Sequence, residues 1–295
     1  MKQQSLFIGF SILMLIIVAM TIGPYLPFVD SNLQEELIRM ETGTIEAPPY
    51  PPSEKNLLGS DHRGKDLLSL IVLGTKDTML IIFAVTVIRY IFAVPLGFAA
   101  SRKVGGTSWI VNIWNKVFTS IPTLFSAIIL LNLPFLIFSE NRLLWSILLI
   151  ALIEVGRVAE IVQEQSYSLS KELYVEAGKT MGFTPLQSYS RDYLPNLLPE
   201  LIVMFFIDLG RVALLIGQLG MLSIFISQAW IQTDFTVGVI KNTSLNWATL
   251  LGEARGDLLT APWIPLFAAA AITLTIIAFN LTGEGLRRWF HHRSI

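Results

Sequence analysis

The sequence predicts an all-α membrane protein with six transmembrane helices, on three observations. Of its 295 residues, 53% are hydrophobic and only 15% are charged, against roughly 25% charged in soluble domains. Charges are costly in hydrocarbon, and a bilayer imposes such a deficit. The apolar residues gather into runs of the ~20 residues that cross a bilayer core. Lys and Arg collect in alternate short connectors, as the positive-inside rule requires of cytoplasmic faces. The net charge of −1 gives no electrostatic footprint for nucleic acid. The absence of cysteine excludes a disulfide framework, a thiolate metal site and a cysteine nucleophile.

Residues 6–28 form the first span. The run is longer than the apolar region of a signal peptide, and Pro24-Tyr25-Leu26-Pro27 is no small-residue cleavage site, so residues 1–28 read as a tail plus a retained span. Residues 29–77 are polar and read as extracytoplasmic. Their Ala47-Pro48-Pro49-Tyr50-Pro51-Pro52 run favours polyproline II geometry and reads as a spacer. His62, alone among polar neighbours, reads as a surface histidine rather than a metal ligand. The remaining spans are expected at 78–100, 117–138, 143–162, 197–227 and 263–281. Prolines at 95, 122 and 134 are tolerated in membrane helices. Glu140-Asn141-Arg142 reads as a short outer turn, and residues 228–261 as a second outer segment. Together 78–288 make a core of five spans, with a cytoplasmic loop at 164–196 and a cytoplasmic tail at 289–295. Arg102, Lys103, Lys116, Lys171, Lys179, Arg191, Arg287, Arg288 and Arg293 mark the inner side.

The polar loop 171–196 is the longest such interruption in the second half of the chain. It reads as a helix over Tyr174-Val175-Glu176-Ala177-Gly178, a break at Gly182, a second short helix, and an end at Leu194-Pro195, with Pro195 and Pro199 stopping the helix. Glu176, Ala177, Gly182, Leu194 and Pro195 fall in register on the loop signature of ATP-binding-cassette (ABC) importer permeases: Glu-Ala-Ala, three residues, Gly, then Ile-Leu-Pro. Gly178 stands where that signature has Ala, and Tyr193 where it has Ile. Leu58-Gly59-Ser60-Asp61-His62-Arg63-Gly64-Lys65-Asp66 resembles the Leu-Gly-Thr-Asp-x-x-Gly-Arg-Asp segment of the dipeptide and oligopeptide permeases, with Gly59, Asp61, Gly64 and Asp66 coinciding. Residues 261–287 resemble the end of the same permeases. The chain therefore resembles a dipeptide/oligopeptide (nickel/opine) type ABC permease subunit from about Leu57 to Arg288.

The resemblance implies the type I ABC importer fold with a cytoplasmic coupling-helix loop. It implies a homologous second permease, two ATPase subunits that bind ATP and Mg, and an extracytoplasmic substrate-binding protein. Glu176 would offer a carboxylate to the ATPase, small Ala177 and Gly178 would permit close approach, and Gly182 would let the chain turn. No Walker loop occurs, so the chain holds no ATP through that motif, and no Ser/His/Asp or metal array is placed to act. It reads as a transport subunit rather than an enzyme, without a cofactor of its own.

Five ionisable residues lie inside expected spans: Arg89, Glu154, Arg157, Asp208 and Arg211. Intramembrane charges mark a site and need partners. Glu154 and Arg157, like Asp208 and Arg211, are three apart and share a helix face. Arg89 has no acid within a turn and needs Glu154 or Asp208 from another helix. These residues either form local ion pairs or line the path of a peptide-like solute. Glu160 and Gln163 stand where related permeases often carry basic residues, and Gly217 to Phe225 lacks a usual fifth-span run, so the cargo is a peptide-like solute or, alternatively, nickel, a metallophore or an opine. An ATP-independent secondary transporter or channel would show inverted repeats, and none is clear. A non-transporting scaffold is the remaining alternative.

Overall fold

The computed structural model describes residues 4–35, 38–39, 45–232 and 238–293. Among the described residues twelve α-helices run in chain order: α1 (Gln4–Thr21), α2 (Leu67–Ala99), α3 (Gly106–Thr119), α4 (Thr123–Leu131), α5 (Pro134–Ile137), α6 (Arg142–Ile153), α7 (Val155–Leu169), α8 (Leu173–Thr180), α9 (Pro185–Ser188), α10 (Leu194–Met221), α11 (Ala254–Thr260) and α12 (Trp263–Arg293). Two small antiparallel hairpins are the only sheet among the described residues: β1 (Ile38–Arg39) with β2 (Ile45–Glu46), and β3 (Gln228–Gln232) with β4 (Gly238–Asn242). The fold is an all-α membrane protein, and the hairpins sit in the segments read as lying outside the bilayer.

Contacts between helix ends give the bundle two poles. At one, Gly23 lies against Val72, Gly59 against Trp263, and Gly220 against Ala248. At the other, Gly9 meets Thr282, Gly285 meets Leu6, and Gly283 packs beside Val203 and Phe206. The first pole gathers the 29–77 and 222–262 segments, and the second gathers α8, α9 and the end of α12. In between, Gly97 lets α2 approach α7: a Cβ there would stand 2.6 Å from both the Ala159 carbonyl and the Val162 side chain.

The spans differ in outline from the expected ones. Among the described residues, three continuous helices are long and apolar enough to cross a membrane: Gln4–Thr21, Leu67–Ala99 and Trp263–His291. A fourth arises if α3 and α4 count as one span bent by 92°, so the third span is not one rod over 117–138. Its helix starts at Gly106, inside the expected connector, and breaks before Pro122, the residue that opens α4 and cannot continue a preceding helix. The expected fourth span is two helices, α6 and α7, divided at Glu154. The fifth is α10, whose 28 residues reach about 42 Å at ~1.5 Å per residue. Among the described residues the fourth and fifth expected spans are not continuous apolar helices by length and composition, and they carry Glu154, Arg157, Asp208 and Arg211, four of the five charges described below.

Other boundaries move for local reasons. α2 begins at Leu67, inside the segment expected to be non-helical, because Asp66 caps it: its carboxylate accepts from the Ser69 backbone N–H at 2.8 Å and the Ser69 hydroxyl at 2.6 Å. Asp61 accepts from the backbone N–H groups of Arg63 and Lys65, and Gly59 and Gly64 adopt φ of +83° and +78°. The Gly-x-Asp-x-x-Gly-x-Asp pattern is therefore a turn and a cap that start a membrane helix. The proline-rich run is not a free spacer, since Tyr50 is buried and exchanges bonds with Ser60. Arg142, expected in an exposed turn, is buried and donates from Nε and Nη2 to the Phe225 carbonyl at 3.3 and 3.2 Å. Within 228–261 the 3-10 turn Trp247–Leu251 is buried against the bundle, with the Trp247 indole donating to the Ile71 carbonyl at 2.8 Å. α12 continues past the expected end at Leu281 to Arg293, so most of the expected tail is helix; residues 294–295 lie outside the described ones.

Asp66→Ala is expected to remove one helix cap and lower stability by about 1 kcal/mol, read as a lower thermal unfolding midpoint of the detergent-purified chain.

Candidate functional site

The five ionisable span residues converge. Arg89 of α2 places Nη1 3.1 Å from a Glu154 carboxylate oxygen and 3.7 Å from Asp208. Arg157 of α7 places Nη2 3.0 Å from Glu154 and 2.7 Å from Asp208. Arg211 stands 3.7 Å from Asp208. Tyr90, which the sequence reading passed over, donates its hydroxyl to Asp208 at 3.2 Å; its place beside Arg89 was the available signal. Three guanidinium groups face two carboxylates, so the cluster carries an excess of one positive charge.

Burial grades across the cluster. The Arg89 and Asp208 side chains are each 2% exposed, whereas that of Arg211 is 51% exposed. A cavity of about 220 Å³ opens beside them, bordered by Arg89, Thr123, Glu154, Arg211 and Gln218. Glu154 sits at the break between α6 and α7, and Thr123 of α4 donates to it at 3.3 Å. The bent α4 therefore brings a polar group to the same cavity. Chemically, the cavity offers a guanidinium with spare donors and one carboxylate edge.

The polar loop is a folded unit. α8 ends in a Schellman motif: the Phe183 N–H donates to the Gly178 carbonyl and the Gly182 N–H to that of Lys179, at 3.1 and 3.0 Å, with Gly182 at φ +86°. A Cβ on Gly178 would lie 2.9 Å from the Phe183 ring. This accounts for glycine where the signature has alanine, and it corrects one expectation: Gly178 faces its own loop, leaving Glu176 and Ala177 on the exposed face. Val175 and Tyr193 are buried with Ala93, Phe98 and Val158. The Phe98 ring stacks on Tyr189 at 5.6 Å, and Tyr189 lies 5.4 Å from Tyr193. Leu173, Tyr174, Met181 and Leu186 project outward, and Leu194 is partly exposed.

The loop does not end at its prolines. Thr184 and Gln187 form a capping box on α9, and a π-turn over Tyr189–Tyr193 leads directly into α10. Pro195 and Pro199 lie within α10. The Leu194 N–H bonds to the Tyr189 carbonyl, five residues back. The widened turn accommodates a proline that lacks an N–H and would otherwise crowd the preceding turn.

Comparison with known proteins adds the following. The family described as "Binding-protein-dependent transport system inner membrane component" matches residues 93–295. A protein of Escherichia coli named a probable D,D-dipeptide transport system permease protein is 26% identical over 276 residues, covering 94% of this chain and 83% of the relative. The dipeptide transport system permease protein of Haemophilus influenzae is 24% identical over 289 residues, covering 97% and 90%. A glutathione transport system permease protein of Pectobacterium atrosepticum is 24% identical over 279 residues, covering 95% and 83%.

Removing one partner of a buried ion pair strands the other charge. Asp208→Ala is expected to destabilise the chain by about 3–5 kcal/mol, and Arg211→Ala, half exposed, by about 1 kcal/mol or less. Thermal unfolding of the two purified variants side by side checks the contrast.

Proposed function

The chain belongs to the family of binding-protein-dependent transport system inner membrane components, and on that premise we propose that it forms half of the path by which an ATP-driven importer takes up small peptides. It is a permease subunit of the dipeptide/oligopeptide ABC type. The other half of the path would come from a homologous permease, the energy from two ATPase subunits holding ATP and Mg, and the cargo from an extracytoplasmic binding protein. Relatives named for dipeptides and for glutathione support a peptide cargo. The nickel, metallophore or opine alternative draws no support from those names.

The observation that carries the reading is the loop. A loop helix can pass force only if it resists deformation, and this one is braced by a Schellman motif, a capping box and an aromatic stack on Phe98. Its outward apolar side chains, Leu173, Tyr174, Met181 and Leu186, have no covering partner among the described residues, and Glu176 and Ala177 lie among them. A groove on the ATPase would bury the apolar group and supply a donor to Glu176. Arg102 lies near Tyr193, Lys103 pairs with Glu164, Lys171 lies over the Tyr167 ring, Lys179 reaches the Ser170 carbonyl and Arg287 pairs with Glu200, a gathering of basic residues around the loop that supports a cytoplasmic loop and cytoplasmic termini.

For the cargo, the mid-membrane cluster offers complementary charge. Arg211 has guanidinium donors free toward the cavity, and a peptide carboxylate would accept from them. Glu154 would meet the amino end. Arg89 and Asp208 are enclosed, and Arg157, which does not border the cavity, bridges Glu154 and Asp208; these three would hold the other two in place.

Glu176→Lys in the reconstituted complex is expected to remove a charge-assisted hydrogen bond worth about 1.5–3 kcal/mol, or roughly ten- to a hundredfold in docking. Peptide uptake falls while the ATPase subunits keep their own activity. Gly182→Trp forces a bulky residue into a left-handed backbone and is expected to give the same uncoupling. Normal uptake by both variants, measured with an intact ATPase, contradicts the proposal.

A further inference from the structure

We propose that His62, Glu253 and Asp257 form a binding site for a borderline divalent cation of the zinc type, at the pole of the bundle opposite the loop helix α8. The three residues come from two segments far apart in sequence. His62 lies in the tight turn that precedes α2, and Glu253 and Asp257 lie one helical turn apart at the start of α11. His62 Nε2 is 2.6 Å from Asp257 Oδ1 and 3.6 Å from Glu253 Oε2, and one potential ligand atom from each residue falls within 4.8 Å of the other two.

Several features favour a cation over a simple hydrogen bond. A hydrogen bond to Nε2 needs one acceptor, yet two carboxylates converge on that nitrogen. Residues four apart on a helix share a face, which is the spacing by which helices present paired metal ligands. Bonds of about 2.0–2.2 Å in a tetrahedral zinc site separate ligand atoms by about 3.3 Å. The 2.6 Å contact needs to open slightly and the 3.6 Å contact to close slightly. Two carboxylates and a neutral imidazole leave an anionic trio that a divalent ion neutralises, and imidazole with carboxylate suits zinc-like metals.

The surroundings hold the ligands and leave a way in. Asp61 accepts from the backbone N–H groups of Arg63 and Lys65 at 2.9 and 2.8 Å, and the Asp61 N–H donates to the Lys65 carbonyl. The turn that carries His62 is therefore rigid. Asp257 is buried, and its own N–H donates to the Glu253 carbonyl at 3.0 Å. Glu253 is 78% exposed and free to swing. A cavity of about 610 Å³ opens on the trio, bordered by Asp61, Arg63, Ser223 and Thr249, with room for the water that completes a three-ligand site. The ion would clamp the turn before α2 to α11 and, through α11, to the start of α12. It is a resident ion of the outer pole, separate from the cargo.

The test uses the full chain, purified in detergent without a polyhistidine tag and stripped with EDTA. After zinc loading and gel filtration, elemental analysis counts the metal retained per chain, and calorimetry gives its affinity. His62→Ala and Glu253→Gln change exposed side chains and leave the buried Asp257 intact. His291→Gln with His292→Gln removes the other two histidines of the chain, adjacent near its C-terminal end. The expected result is a single zinc ion per chain, weakened about tenfold or more in each of the first two variants and unchanged in the tail variant, with zinc raising the thermal midpoint of those two variants less than that of the wild type. No zinc on the stripped and reloaded wild type, or retention indifferent to His62→Ala and Glu253→Gln, overturns the proposal.

Discussion

A charge placed in hydrocarbon must find its opposite, and that requirement organises the middle of this bundle. Asp208 is almost fully enclosed and lies within 3.7 Å of three guanidinium groups. Those groups come from α2, α7 and α10, so one ion cluster ties together three helices. Apolar packing alone would not choose among the ways such helices can be arranged, since lipid is as apolar as their side chains. The graded exposure from Arg89 to Arg211 gives the same group a structural end and an accessible end.

The loop and the cluster rest on different physics. The loop is held by hydrogen-bond geometry: Gly182 in the left-handed region, two bonds closing the end of α8, and Thr184 with Gln187 opening α9. Aromatic rings then fasten it to the end of α2. Such a unit keeps its shape while its outward face stays free for a partner. Gly178 illustrates how a departure from a family pattern is balanced locally, since Phe183 occupies the space a methyl group would need.

What could be read from the sequence follows from which constraints are local. The need of Arg89 for a distant acid was legible because an unpaired intramembrane charge is so costly, and the glycine of the loop because a helix end there needs a left-handed residue. The start of α2 was misjudged by eleven positions because Asp66, its cap, looked like part of a polar stretch. The bend at Pro122 and the break at Glu154 escaped a reading by apolar run length, which registers composition and not direction. Arg142 seemed exposed because its neighbours in sequence are polar; its acceptor, the Phe225 carbonyl, is 83 residues away. Glu253 and Asp257 are one helical turn apart, but His62 stands 195 residues before Asp257, and only the folded chain brings it beside them.

The π-turn at Tyr189–Tyr193 has a consequence for stiffness. The helical path is unbroken from Pro185 through Met221, so one continuous helix joins the loop to the charge cluster. Asp208 lies 23 residues beyond Pro185, about 35 Å along the axis at ~1.5 Å per residue. A twist or shift imposed near Leu186 would travel toward the Asp208 carboxylate along this one helix, with Pro199 the place where the path could bend.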